Sequence, residues 1–134
     1  MILLDTHAAI WYAGGHTLKR AAVAAIETAL PERGVMLSAI SAWEIGMLVE
    51  KQRLTLHQSA SDYIAQLFQL DGVREEPVTA EIGTLASSLV GFHPDPADRL
   101  IVATAIVRSV PLLTRDERII RYLRKTKLTS VVAA

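Results

Sequence analysis

Apolar residues fall along this chain in two kinds of block that alternate. Three blocks are short and nearly unbroken: Met1-Ile2-Leu3-Leu4, Val35-Met36-Leu37-Ser38-Ala39-Ile40 and Val110-Pro111-Leu112-Leu113-Thr114. Runs of that length and makeup predict buried strands. The first is stopped by Asp5-Thr6, which reads as a strand running into a polar loop. In the second kind of block, apolar positions recur every three or four residues. Leu18, Ala22, Ala25, Ile26 and Ala29 follow a capping Thr17 and end near Leu30-Pro31; Ala60, Ile64, Leu67 and Phe68 make another stripe; Ile82, Leu85, Ala86 and Leu89 follow Thr79 and close at Gly91. These predict helices packed by one face.

Punctuation supplies the remaining elements. Ser41-Ala42-Trp43-Glu44 has the form of a capping box opening a helix that runs to about Gln52. Asp95 is a natural N-cap, Pro96 suits the first helical position, and Asp98 then lies in the first turn of a helix ending at Arg108. Gly72 to Thr79 is a weak strand that Pro77 places at a sheet edge, Glu117 to Leu123 a short helix, and Leu128 to Val132 a last strand. Strands alternating with helices predict an α/β fold, a mainly parallel sheet covered on both faces in three layers, with residues 1–134 forming one domain around a single core. In such sheets ligands bind outside the carboxyl ends of the strands.

Composition narrows the chemistry. Hydrophobic residues make up 51% and charged ones 21%, which excludes a disordered chain. No apolar run approaches the roughly 18 residues of a membrane span, and Asp5 interrupts the N-terminus before a signal core can form, so a cytoplasmic protein with no membrane partner is expected. With no cysteine, any metal must be held by oxygen or imidazole. The net charge of zero gives no global attraction to nucleic acid. Locally, however, Arg99, Arg108, Arg115, Arg118, Arg121, Arg124, Lys125 and Lys127 face only Asp116 and Glu117, an excess that can track a phosphate backbone or simply solvate a helix.

Four carboxylates follow the parallel-sheet rule to one edge. Asp5 follows the first strand, Glu44 lies one turn into the helix after the second, and Asp116 follows the Leu112-Leu113-Thr114 strand. A helix from Pro96 to Arg108 rises about 18 Å at about 1.5 Å per residue, so its start, with Asp98, returns to the same edge. Each has an ordinary use: Asp95 and Asp98 favour a helix dipole, Ser41 with Glu44 makes a capping box, and Asp116 can begin the last helix. Asp5 has no evident capping role unless a helix follows it directly. Together the four would repel one another or demand a cation. All-oxygen ligation suits Mg²⁺ or Mn²⁺, which can activate water for in-line attack on phosphorus. Thr6, Ser41 and Thr114 are candidates for orienting the carboxylates. His7, His16, His57 and His93 lack metal-ligand spacing; Trp11, Tyr12 and Trp43 read as core or interface residues rather than base-stacking platforms.

With those residues in place, the sequence resembles the PIN domain, specifically the toxin of the VapBC type of toxin–antitoxin pair. The likeness runs through LLDTHAAIWY at Leu3 to Tyr12, SAISAWEIGMLVEKQRL at Ser38 to Leu54, DPADRLIVATA at Asp95 to Ala105 and LLTRDERI at Leu112 to Ile119. It implies an α/β/α sandwich and a Mg²⁺- or Mn²⁺-dependent endoribonuclease. The acidic quartet of catalytic and metal-binding residues maps onto Asp5, Glu44, Asp98 and Asp116, with Thr114 as the polar residue of the final motif and Asp95 as an accessory. Arg99 and Arg115 become phosphate contacts or ion-pair partners. A homodimer and a VapB-like antitoxin lying across the groove are implied as well, with Trp43, Met47, Tyr63 and Phe68 available for that groove or for the core.

Two other readings share the acidic crevice. A PIN-like module with little turnover could serve an antitoxin-bound repressor complex; the full quartet argues against it. A receiver-like or phosphatase domain would want a lysine at a strand end, and Lys19, Lys51, Lys125 and Lys127 are not placed there.

Overall fold

The computed structural model describes residues 1–134 and contains five strands: β1 (Ile2–Leu4), β2 (Val35–Ser38), β3 (Val73–Glu76), β4 (Leu112–Thr114) and β5 (Val131–Ala133). All pair in parallel, in the order β3-β2-β1-β4-β5, with Ile2 opposite Val35 and Leu3 opposite Leu112. The chain builds outward from β1 to one side through β2 and β3, then returns to β1's other side with β4 and β5. The reversal at β1 and β4 is a topological switch point, where a crevice opens above the carboxyl ends of the strands.

Seven helices connect and cover the sheet: α1 (Thr6–Ala13), α2 (Arg20–Ala29), α3 (Ile40–Glu50), α4 (Ala60–Phe68), α5 (Ala80–Ser87), α6 (Pro96–Arg108) and α7 (Glu117–Thr126). Side chains alternate between the faces along each strand. Ile2, Leu4, Val35, Leu37 and Leu113 therefore join Ala8, Ala22, Ile26, Ile45 and Leu67 on one face. Leu3, Met36 and Leu112 meet Ile101, Val102, Ala105, Ile119 and Leu123 on the other. The expected single core is thus split in two by the sheet, and a smaller group of Ile82, Ala86 and Ala103 seals α5 to α6.

Several local expectations are corrected. No polar loop follows β1: the Asp5 side chain accepts the Ala8 N–H and α1 starts at once. Ser41-Ala42-Trp43-Glu44 is no capping box, because α3 begins earlier, at Ile40, and both side chains have other partners. Thr17 lies ahead of α2, whose N-cap is Lys19. Helix α5 stops at Ser87 rather than at Gly91, and β5 begins at Val131 rather than Leu128. By contrast, β3 is an edge strand ending just before Pro77, and Asp95 caps α6 by accepting the Asp98 N–H at 3.1 Å.

Ile101 is fully buried one turn beyond Asp98 and locks α6 onto the sheet. Ile101→Ala removes most of a close-packed side chain and is expected to cost about 3–4 kcal/mol in urea unfolding.

Candidate functional site

At the switch point an open cleft of about 300 Å³ is lined by Asp5, Thr6, His7, Trp11, Glu44, Asp98, Arg115 and Asp116. The fold thus brings all four sequence-predicted carboxylates to one cavity. They come from four different elements: Asp5 from the β1–α1 junction, Glu44 from α3, Asp98 from the first turn of α6 and Asp116 from the N-cap of α7.

Two short hydrogen-bond chains hold three of them. Asp5 is buried, with Oδ1 accepting the Ala8 N–H at 2.8 Å and Oδ2 accepting the Thr114 hydroxyl proton. Thr114 Oγ1 in turn accepts the Asp116 N–H at 3.0 Å, so one hydroxyl links the two aspartates. On the opposite wall the Thr6 hydroxyl donates to Glu44 and lies 2.8 Å from the Ser41 hydroxyl, which is fully buried. Asp116 accepts the Arg118 and Ile119 N–H groups as the cap of α7 while remaining partly exposed to the cleft. Helix formation and carboxylate placement are one act at Asp5 and Asp116.

The electrostatics are those of crowded anions. Burial, then Asp95, Glu44, Asp116 and Asp5, push the Asp98 carboxyl up to about 7. Burial also raises Asp5 and Glu44 above the usual carboxylate range against the pull of their threonine hydrogen bonds. Asp116 is lowered: burial opposes ionisation there, but hydrogen bonds from the Arg118 side chain and the Arg118 and Ile119 backbone outweigh it. No three acidic or imidazole side chains are drawn close enough to hold an ion among themselves alone. A crowded all-oxygen donor set with raised pKa values still suits a hard divalent ion that keeps much of its water and takes only one or two carboxylates directly.

Two residues beside the quartet were missed by sequence reasoning. His93 Nδ1 accepts the Asp95 N–H at 3.4 Å, which puts the ring proton on Nε2, and that buried nitrogen faces Asp98 Oδ2 at 3.1 Å. Burial, followed by the charge of Arg118, lowers its pKa and favours the neutral ring. The signal was the His93-Pro94-Asp95-Pro96 turn, which folds the histidine back over the helix start. Arg118 was counted only as part of a basic run, yet its guanidinium lies 3.2 Å from Asp116 Oδ2 and 3.8 Å from Asp98 Oδ2.

The fold is met again in known proteins. The PIN domain family model matches residues 2–125. The chain belongs to the PIN-domain family. It is 38% identical over 120 residues to "Ribonuclease VapC22" of Mycobacterium tuberculosis, covering 88% of each chain. Two solved structures share its fold. FitAcB from Neisseria gonorrhoeae matches with a TM-score of 0.63 and 23% identity over 98% of this chain and 96% of that one. VapBC2 from Rickettsia felis, bound to a DNA fragment from its promoter, matches with a TM-score of 0.70 and 14% identity over 99% and 98%.

In this PIN domain the two candidate phosphate-binding arginines part company. Arg99 spends its guanidinium on the carbonyls of Ala86, Leu89, Phe92 and His93, at 2.8 to 3.2 Å. It staples the segment after α5 to α6 and is not free for phosphate, so that expectation is corrected. Arg115 lines the cleft, with Nε and Nη2 on the carbonyls of Ala134 and Thr17.

Arg99→Ala leaves four carbonyls without their donor and is expected to lower unfolding stability by about 2–4 kcal/mol, with Lys a poor substitute. Asp98 yields a signed pH prediction. Between about pH 4 and 7 the folded chain holds a proton there that the unfolded chain has lost, so metal-free stability falls as pH rises through that window. Asp98→Asn is expected to raise the melting temperature of metal-free protein at pH 8 by about 3–6 °C, with the gain vanishing near pH 4.

Proposed function

We propose that this PIN domain is a divalent-metal-dependent endoribonuclease, the toxin of a toxin–antitoxin pair. The observation that carries the reading is the convergence of Asp5, Glu44, Asp98 and Asp116 on one cleft at the switch point. The sequence likeness to a ribonuclease of the VapC type supports it. A binding module with little turnover would have no use for four carboxylates gathered in one cleft, three of them with pKa values raised by burial and by one another; that cost is recovered when a cation enters.

Asp5, Glu44, Asp98 and Asp116 would hold Mg²⁺ or Mn²⁺, directly or through water. An ion bound there would lower the pKa of water and neutralise charge developing on phosphorus and the leaving oxygen. The chain's own residues do the rest. Thr114 and the Ala8 N–H fix both oxygens of Asp5, and Thr6 backed by Ser41 fixes Glu44. In hydrolysis the water oxygen joins phosphorus, the bond to the leaving sugar oxygen breaks, one proton of the water passes to a cleft carboxylate, and the leaving oxygen takes up a proton from solvent. The raised pKa of half-buried Glu44 supports the proton-accepting role for it.

Helix α7 supports binding of an RNA backbone. It buries Ile119, Ile120, Tyr122 and Leu123 and exposes Arg118, Arg121, Arg124 and Lys125. Such a stripe, rather than net charge, supplies phosphate contacts. The partner is a VapB-like antitoxin, as in the VapBC2 complex that shares the fold. The furrow beside α3 and α4, lined by Ala39, Ala42, Ile64, Ala65 and Phe68 with Gln69 and Glu75, offers its segment a seat of mixed polarity, and exposed Trp43 offers a second copy of the chain a contact for a homodimer. No helix is long and apolar enough to cross a membrane, and we place the protein in the cytoplasm, with RNA.

Antitoxin-free protein is expected to cut total cellular RNA into discrete fragments with Mg²⁺ or Mn²⁺, to stop on EDTA addition, and to lose about a hundredfold or more in rate as Asp5→Asn or Asp98→Asn. Equal cleavage by variants that retain the wild-type circular dichroism would overturn the assignment. Metal affinity, read by calorimetry, should rise about tenfold per pH unit up to about 7 and level off above, as Asp98 gives up its proton.

A further inference from the structure

One wall of the cleft is not acidic. Trp11 is the only hydrophobic residue among the eight that line it. Its chain neighbours Ile10 and Tyr12, like it only partly buried, pack against the core, whereas Trp11 belongs to no core cluster. One turn earlier on α1, the exposed His7 ring lies 5.8 Å away, tilted by 35°. The Arg115 guanidinium sits over the indole, 4.3 Å from the ring centroid. That guanidinium is clamped by Ala134 O at 3.3 Å and Thr17 O at 2.7 Å, and neither bond uses Nη1. The guanidinium thus covers one face of the indole, and three flat groups gather in the same cavity as the carboxylates.

Core packing does not explain this arrangement, since Trp11, unlike Ile10 and Tyr12, joins no core cluster. Resting on the nuclease reading above, we propose that Trp11, with His7 and Arg115, is a base-stacking subsite: an unpaired nucleobase flanking the scissile phosphate lies on this shelf. Indole, imidazole and guanidinium planes all accept a base face, whatever the base. A cavity of about 300 Å³ takes one nucleotide-sized group. A paired base has both faces covered by its neighbours and cannot use the shelf.

With Trp43→Phe as background, Trp11 is the sole tryptophan and reports on the subsite directly. In Mg²⁺, adenosine 5′-monophosphate is expected to quench its emission saturably, while ribose 5-phosphate, which carries the phosphate without a base, is not. In parallel, cleavage of a 12-nucleotide single strand is compared with that of its blunt duplex. Trp11→Ala should raise KM for the single strand by roughly 5- to 150-fold with little change in kcat, and Trp11→Phe should retain most of the affinity. Equal quenching by the two phosphates, a wild-type KM in Trp11→Ala, or equal cleavage of duplex and single strand overturns the proposal while leaving the nuclease standing. A wild type that cuts neither substrate removes the nuclease reading instead, and the quenching comparison still decides whether the shelf takes a base. If Trp11→Ala does not fold, Trp11→Phe and the quenching arm carry the decision.

Discussion

The structure turns on what happens to the Asp5 carboxylate. It is buried at the end of the central strand, where a lone charge would be costly, and both its oxygens are used: one begins α1 and the other takes a hydroxyl proton from the neighbouring strand. The same group therefore ends β1, starts a helix, tethers β4 and faces the cleft. Through Thr114 it also sets Asp116, so the position of one acid fixes that of the other. The second wall repeats the device with neutral groups, as Ser41 and Thr6 hold Glu44. Hydroxyls suit this task because they can donate to a carboxylate while accepting elsewhere, and they add no charge to a cavity that already has too much.

Much of this could be read from pattern alone, because strand runs, helical stripes and helix caps are local signals. The parallel sheet followed from alternation, and the shared edge of Asp5, Glu44 and Asp116 followed from the sheet. Tertiary demand defeated local chemistry elsewhere. Ser41 and Glu44 have the spacing of a cap, yet a threonine from α1, more than thirty residues earlier, takes both side chains. Arg99 lies beside a quartet aspartate and looks available to phosphate, but four carbonyls surround it. Such partners leave no periodic trace. His93 and Trp11 were undervalued for a related reason: a histidine without ligand spacing and a tryptophan in an apolar run have ordinary readings that only a three-dimensional neighbour can displace.

Arg118 shows how a crowded acidic cleft can be tolerated without a cation. Its exposed guanidinium reaches toward both Asp98 and Asp116, offsetting part of their repulsion at little desolvation cost to itself. Placing it at the second position of α7 also brings its backbone N–H to the capping carboxylate. The mobile half of the residue balances charge while the fixed half holds the helix.

The strand order has a consequence for when the protein becomes active. Central strand β1 pairs early with β2, but its other edge waits for Leu112 and Leu113. Asp98, Thr114 and Asp116 also belong to the last third of the chain. A ribosome must therefore make nearly the whole polypeptide before the long loop between β1 and β4 can close, and contacts of such separation form late. The cleft is among the last features to be completed, and a prematurely terminated chain is left without it.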